Sequence, residues 1–276
     1  MLDVAMDAHA RNQLATRFGA IASEAGRFIM SIYSGTPSIT TKADGSPVSE
    51  ADVGAERLIR ERLSQLLPDT PLIAEESFKP QQGASLPDRF LLVDPLDGTR
   101  EFISHNGEFT VNIALIETGR PIVGCVYAPA REVIYLAGAA AFRAELAPGA
   151  VLPPPGHLQV ITTSAYPEAG LRAVASRSHL DQATEALLAR LPVAARQSAG
   201  SSLKFCVIAQ GDADIYPRLA PTMEWDTAAG QAVLVAAGGC VMGRDGTPLS
   251  YGKTASDLRN DGFIAWGQAP LLKYAP

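Results

Sequence analysis

Apolar residues at Leu14, Phe18, Ile21, Ala25, Phe28, Ile29 and Ile32 recur every three or four positions, which predicts an amphipathic helix ended by Gly35 and Pro37. A polar loop, TKADGSP, follows. A second helix is predicted from Ser49, with Ala51, Ala55, Leu58, Ile59, Leu63, Leu66 and Leu67 on its apolar face and Pro68 at its end. The pattern then changes. PLIAEES, RFLLVDP, FTVNIALIETG and RPIVGCVYAPA are short apolar runs rich in Val and Ile and read as strands, with a turn at ETGRP. Two helices followed by a mostly antiparallel meander is an α+β signature.

The stretch APGAVLPPPGH, residues 147 to 157, is rich in Pro and Gly and reads as a lobe boundary, dividing the chain into 1–150 and 151–276. Beyond it the units alternate. LRAVASRSH reads as a strand and loop, DQATEALLARL as a helix, and SSLKFCVIAQG as a helix ended by Gly211. ADIYPRL reads as a strand, EWDTAAGQAVLVAAGG as a helix with Gly238 and Gly239 past its end, and GCVMG and DGFIAWG as strands. The second lobe is therefore expected to be α/β. No internal repeat is visible.

Composition narrows the function. The chain has 276 residues, 47% hydrophobic and 19% charged, enough to bury a large core. Its net charge of -6 argues against binding long nucleic acid through phosphates. A small anion remains accessible to a local basic cluster or a bound metal. The cysteines number three, and none forms a CxxC pair; Cys125, Cys206 and Cys240 read as reduced, buried thiols. The first residues, MLDVAMDAHARNQ, lack a basic stretch followed by an apolar one, which predicts no signal peptide. No apolar run is long enough for a transmembrane segment. The expected location is the cytoplasm, with peripheral contact with the inner membrane left open.

The chemistry lies in acids at element ends. Glu75 and Glu76 close PLIAEES, Asp94 and Asp97 close RFLLVDP, Asp226 opens the helix EWDTAAG, and Asp52 sits one turn after Ser49. Each has a plain reading. Ser49 and Asp52 form a capping box, Asp226 suits a helix N-terminus, D-P-L-D-G-T is turn composition, and Glu75–Glu76 suits a solvated loop. Jointly these readings leave two acids at the end of an apolar strand without a partner, where close carboxylates must protonate or find a cation. Hard divalent cations take such oxygen ligands. In D-P-L-D-G-T the first acid can bridge two ions, the second can reach the second ion, and the carbonyl between them can ligate the first. Gly98 permits the tight turn and Thr99 offers a hydroxyl to orient a water. No His or Cys cluster competes as a zinc site.

LIAEES, VDPLDGTREF and EWDTAAG, in this order and at these separations, resemble the Mg2+-dependent, lithium-sensitive phosphatase family of inositol monophosphatase and fructose-1,6-bisphosphatase. The resemblance covers essentially the whole chain. Within the family, DPLDGTREFISHNGEFTVNIALIETGRPIVGCVYAPA, ASRSH and GSSLKFCVIAQGDADIYPR are similar to the branch of bacterial 3'(2'),5'-bisphosphate nucleotidases. Inositol phosphatases typically carry an acid near the position of Arg218, and an arginine suits a second phosphate instead.

The resemblance implies a sugar phosphatase fold, an α+β and α/β arrangement of alternating α-β-α-β-α layers in two lobes with the metal site between them. It implies Mg2+, two to three ions. Glu75, Asp94 and the Leu96 carbonyl hold the first, Asp94, Asp97 and Asp226 the second, and Glu75 reaches a weaker third. It makes Asp52, Thr99 and Glu75 catalytic, with Asp52 and Thr99 orienting the attacking water and no phosphoenzyme forming. Gly98 and Thr99 lie near the scissile phosphate. His179, Ser201, Lys204 and Arg218 contact the nucleotide and its 5'-phosphate, and Lys42 lies in a loop near the metals. Taken alone, His179 reads as a loop residue, Ser201 as a cap and Lys204 as a solvated lysine, while Phe205 and Tyr216 read as core. The implied substrate is adenosine 3',5'-bisphosphate, converted to AMP and phosphate in sulfur metabolism. The alternative is inositol 1-phosphate or a broad range of sugar phosphates. Monomer and homodimer both stay open.

Overall fold

The computed structural model describes residues 6–35, 37–42, 45–79, 85–175 and 181–270. In chain order the elements are α1 (Ala8–Tyr33), β1 (Ile39–Thr41), β2 (Pro47–Ser49), α2 (Glu50–Leu66), β3 (Leu72–Ala74), β4 (Arg89–Asp97), α3 (Thr99–Ile103), β5 (Thr110–Glu117), β6 (Arg120–Ala128), β7 (Val133–Ala137), β8 (Ala141–Glu145) and β9 (Gln159–Ile161). Then come β10 (Leu171–Ala175), α4 (Gln182–Arg190), β11 (Val193–Ser198), α5 (Leu203–Ala209), β12 (Ile215–Arg218), β13 (Thr222–Met223), α6 (Trp225–Ala236), β14 (Cys240–Gly243), β15 (Arg259–Asn260) and β16 (Phe263–Trp266).

Both helices predicted at the start form where the apolar periodicity places them. Asp7 caps α1 by accepting from the Ala10 N–H at 2.7 Å. Strands β3 to β9 make a seven-stranded sheet in sequence order, antiparallel throughout except for the parallel β3–β4 pair. A five-stranded mixed sheet has the order β11-β10-β12-β16-β14. The seven-stranded sheet runs on past the Pro- and Gly-rich stretch to take its last strand from Gln159–Ile161.

On β5, Ala114 and Ile116 join one core cluster with α5 and α6, whereas Val111, Ile113 and Leu115 join another with α1 and α2. The sheet is thus covered on both faces, which is why its central strands read as near-continuous apolar runs. Val174, Val241, Phe263 and Ala265 turn the other side of the α5–α6 layer into core. Ile215, Ile264 and Trp266 pack outward with Leu188 of α4. The order is helix, sheet, helix, sheet, helix, as expected.

Helix α6 is the shared middle layer, and Gly124 of β6 lets it lie close. A Cβ at Gly124 would stand 2.6 Å from the Ala232 Cβ and 2.9 Å from the Ala229 carbonyl. Cys125 and Cys206 are buried free thiols; Cys240 is also free but only half-buried. Among the described residues no helix is long and apolar enough to cross a membrane.

Candidate active site

The site is built on an irregularity at the end of β4. Side chains alternate faces along a strand, so residues three apart should point oppositely. Here Asp94 pairs with Asn112 and Asp97 pairs with Thr110, with a register shift between them. Three steps on β4 span two on β5, so one extra residue is bulged out. Asn112 and Thr110 are two apart and share a face, and their partners Asp94 and Asp97 therefore share it as well. That face is the one covered by α5 and α6. Pro95, with no N–H to lose from the ladder, sits in the bulge, and the Leu96 N–H donates to Asp94 Oδ1 at 3.0 Å.

Gly98 then turns the chain with a positive φ of 96°, and α3 starts at Thr99. The Thr99 hydroxyl donates to Asp52 Oδ1 at 3.0 Å. The other Asp52 oxygen accepts the Ser49 N–H at 2.8 Å and the Ser49 hydroxyl at 2.6 Å. The two readings of Asp52 are therefore not rivals: one oxygen caps α2 and the other holds Thr99.

Strand β3 runs parallel to β4 with Ala74 beside Val93, which sets Glu75 alongside Asp94. Lys42 grips both neighbouring acids, with Nζ 2.6 Å from Glu75 Oε1 and 2.7 Å from Glu76 Oε1. Asp226 enters from the first turn of α6 and accepts the Met223 N–H at 2.8 Å. Beneath it Glu224, fully buried, anchors the 252–253 backbone by accepting from the Gly252 and Lys253 N–H groups at 2.7 and 2.9 Å.

Glu75, Asp94, Leu96, Asp97 and Asp226 border one cavity of about 310 Å³. Gly98, Thr99, Ser201, Lys204 and Arg218 border it too. The sequence-predicted site residues thus converge, except His179, which lies outside the described residues, and Asp52, which reaches the cavity through Thr99. Among the described residues no three acids, His or Cys close around a single point as a finished cage. The donor set still suits a hard divalent cation: it is all oxygen, with four carboxylates and a strand-end carbonyl.

Electrostatics point the same way. Burial, then the charges of Glu75, Asp97 and Asp226, push Asp94 well above the usual carboxylate range. Burial with Asp97 and Glu75 does the same to Asp226. Asp97 rises to about 6, burial outweighing the opposing pull of Lys204. Asp97 and Asp226 keep some surface open to the cavity, but protein surrounds their other sides. Burial likewise lowers Lys204 to about 8, partly offset by Asp97. Crowded acids that resist ionisation define a place where a cation is stabilised.

The same cavity also carries basic groups. Lys204 is buried, donates to the Ala199 carbonyl at 3.3 Å and lies 5.3 Å from the centre of the Tyr216 ring. The Arg218 Nε is buried without a hydrogen-bond partner among the described residues. Ser201, at a positive φ of 48°, has its hydroxyl 2.8 Å from both the Asp97 and Glu108 carbonyls. Phe205, Tyr216 and Phe263 pack on one another with centroids 5.2 to 5.4 Å apart. They are core, as expected of Phe205 and Tyr216, and they also floor the cavity.

Residues 10–270 match the Inositol monophosphatase family. The chain belongs to that family. Its enzymes are metal-dependent phosphatases. Among curated relatives, the 3'(2'),5'-bisphosphate nucleotidase CysQ of Escherichia coli K12 is 44% identical over 246 residues, 88% of this chain and 95% of that protein. The protein of the same name from Buchnera aphidicola is 39% identical over 89% of this chain and 90% of its own length. The crystal structure of CysQ from Bacteroides thetaiotaomicron, 35% identical, superposes with a TM-score of 0.77 over 94% of this chain and 98% of that one. An inositol monophosphatase from Zymomonas mobilis shares the fold at 22% identity, with a TM-score of 0.75 over 96% of this chain and 97% of that one.

Several residues that matter here escaped the sequence reading. Arg100 lines the cavity mouth, and Thr110, Asn112 and Ser202 lie buried beneath the acids. Only a polar residue inside an apolar strand, as in FTVNIALIE, was a usable signal.

Proposed function

We propose that this chain is a phosphatase that removes the 3'-phosphate of adenosine 3',5'-bisphosphate, releasing AMP and inorganic phosphate. The observation that carries this reading is that one cavity is bordered both by crowded carboxylates and by Lys204 and Arg218, whose Nε is buried without a hydrogen-bond partner among the described residues. A cavity that offers both a set of cation ligands and basic groups suits a substrate with two phosphates. The identity with relatives named as bisphosphate nucleotidases supports the choice of nucleotide.

The metal is Mg2+, as two or three ions. Glu75, Asp94 and the Leu96 carbonyl would hold the first, Asp94, Asp97 and Asp226 the second, and Glu75 a weaker third. Bound there, divalent cations supply an activated water and screen phosphate charge. The protein's own groups do the positioning. Thr99 gives its only proton to Asp52, so its oxygen faces the cavity as an acceptor that can align a water hydrogen. Gly98 and Thr99 border the scissile phosphate. Lys204 and Arg218 hold the 5'-phosphate, together with His179 and the Ser201 wall, and so fix the 3'-phosphate in line. Water oxygen bonds to phosphorus as the bond to the 3'-oxygen breaks. One water hydrogen ends on the ribose 3'-hydroxyl and the other on phosphate, with no covalent enzyme intermediate. The reading also places the enzyme in the cytoplasm.

Phosphate release from adenosine 3',5'-bisphosphate and inositol 1-phosphate, with Mg2+, with EDTA and for Asp94→Asn, tests this. Rapid Mg2+-dependent release from the nucleotide, lost in the variant, is expected. A preference for inositol 1-phosphate would overturn the substrate, and EDTA-resistant turnover would overturn the metal.

A further inference from the structure

Three buried polar side chains form a chain under the carboxylates. The Thr110 hydroxyl donates to Asn112 Oδ1 at 3.0 Å, which fixes the amide orientation. The amide nitrogen then donates to the Ser202 hydroxyl at 3.0 Å and to Asp97 Oδ2 at 3.4 Å. Ser202 passes its single proton to the Asp226 backbone carbonyl at 2.8 Å. The Ser202 backbone N–H also favours the charged form of the Asp97 carboxylate. Thr110, Asn112 and Ser202 are each at most 1% exposed.

Every proton in this chain has one destination, so it runs in a single sense from β5 through the start of α5 to the first turn of α6. An amide buried in an otherwise apolar strand costs stability unless all its bonds are made. Here they are made, and they join the two elements that carry Asp97 and Asp226. Those elements are 129 residues apart in sequence, so their spacing is set by how α6 packs on the sheet and not by the local backbone.

We propose that Asn112 and Ser202 are positioning residues: a clamp that fixes the Asp97 and Asp226 carboxylates as a pair and thereby sets the affinity for the cation the pair shares. This rests on the reading of those aspartates as cation ligands. The clamp touches neither substrate nor the Glu75 end of the site. Its loss therefore weakens one ion and spares the other, whereas a general loosening of the fold weakens both.

Mn2+ binding without substrate, followed by electron paramagnetic resonance and calorimetry, reads this directly. The proteins are the wild type, Asn112→Ala, Ser202→Ala, the double variant and Asp226→Asn, each checked for folding by thermal melting. The wild type should bind at least two ions, and Asp226→Asn should lose one. Asn112→Ala and Ser202→Ala should each weaken that same ion by roughly 10- to 100-fold. Because both act through one chain, the double variant should lose little more than the worse single. Unchanged binding in both single variants overturns the clamp while the metal reading stands. Equal weakening of all ions also overturns it. A wild type that binds no Mn2+, or an indifferent Asp226→Asn, overturns the metal reading and the clamp with it. Should Asn112→Ala fail to fold, Ser202→Ala, which removes one oxygen, decides.

Discussion

The two oxygens of Asp52 have separable jobs, so their effects can be measured apart. Ser49→Ala removes the hydroxyl that donates to Oδ2 and that accepts the Ala51 N–H at 3.1 Å, but leaves the Thr99 bond untouched. Losing such a cap costs about 1 kcal/mol, a fall in melting temperature of roughly 2–4 °C for a chain of this size. Thr99→Val keeps the shape and removes the hydroxyl that faces the water. Capping is intact, but Asp52, 1% exposed, loses its donor at Oδ1. The penalty for that unmet acceptor is about 1–3 kcal/mol of stability. The loss of water alignment should cost roughly 100-fold or more in kcat, about 2.7 kcal/mol. Asp52→Asn should do both, because an amide cannot accept from Ser49 and from Thr99 at once. The assay is phosphate release from adenosine 3',5'-bisphosphate at saturating substrate and Mg2+, paired with melting curves. A Thr99→Val enzyme within a few-fold of wild-type kcat would refute the assignment of the hydroxyl. A Ser49→Ala enzyme losing as much kcat as Thr99→Val would show that the cap and the chemistry are one function.

Arg218→Ala should raise KM for the bisphosphate by roughly 10- to 100-fold, the worth of charged hydrogen bonds. KM for adenosine 3'-monophosphate should stay put, and steady-state kinetics on the pair checks this. Lys204, lowered to about 8 by burial, should lose its charge above that pH in the free enzyme, so kcat/KM for the bisphosphate should fall there. The sign for stability is opposite: the unfolded chain binds the extra proton between about 8 and the usual lysine range, so Lys204 adds stability as pH rises through that window. Lys204→Met should flatten both profiles, read by pH-dependent kinetics and denaturant unfolding. Gly124→Ala brings a methyl against Ala232 and the Ala229 carbonyl, and should destabilise by about 1–3 kcal/mol while displacing Asp226. Denaturant unfolding together with Mn2+ affinity checks that outcome.

How legible the molecule was in its sequence depends on what each residue's neighbours reveal. Helices α1 and α2 and strands β4 to β6 announce themselves because one partner, the sheet's core, dictates their period. Strands β1 and β11 do not: β1 is fully exposed, and most of β11 is exposed too, so neither carries an apolar code. Strand β9 hides behind the Pro- and Gly-rich stretch that reads as a boundary. The acids were legible by type and spacing and by the family they resemble. Their common orientation was not, because a strand's alternation places Asp94 and Asp97 on opposite faces and only the bulge reverses this. Asn112 and Ser202 read as incidental polar residues, since their partners on other elements lie 15 to 90 positions away. The grip of Lys42 on Glu75 and Glu76 likewise joins segments more than thirty residues apart.

The bulge at Pro95 and Leu96 gives this stretch of gene an unusual tolerance profile. The side chains of Pro95 and Leu96 can be exchanged one at a time with graded loss. Removing a single codon between the two aspartates is different in kind. The ladder with β5 would close into regular register with Asp97 still opposite Thr110, but the bulge that brings Leu96 to the cavity wall between the two acids would be gone. The segment's length is thus under stricter constraint than its spelling. In a deep mutational library, in-frame single-residue deletions there should vanish even where most substitutions survive at low activity.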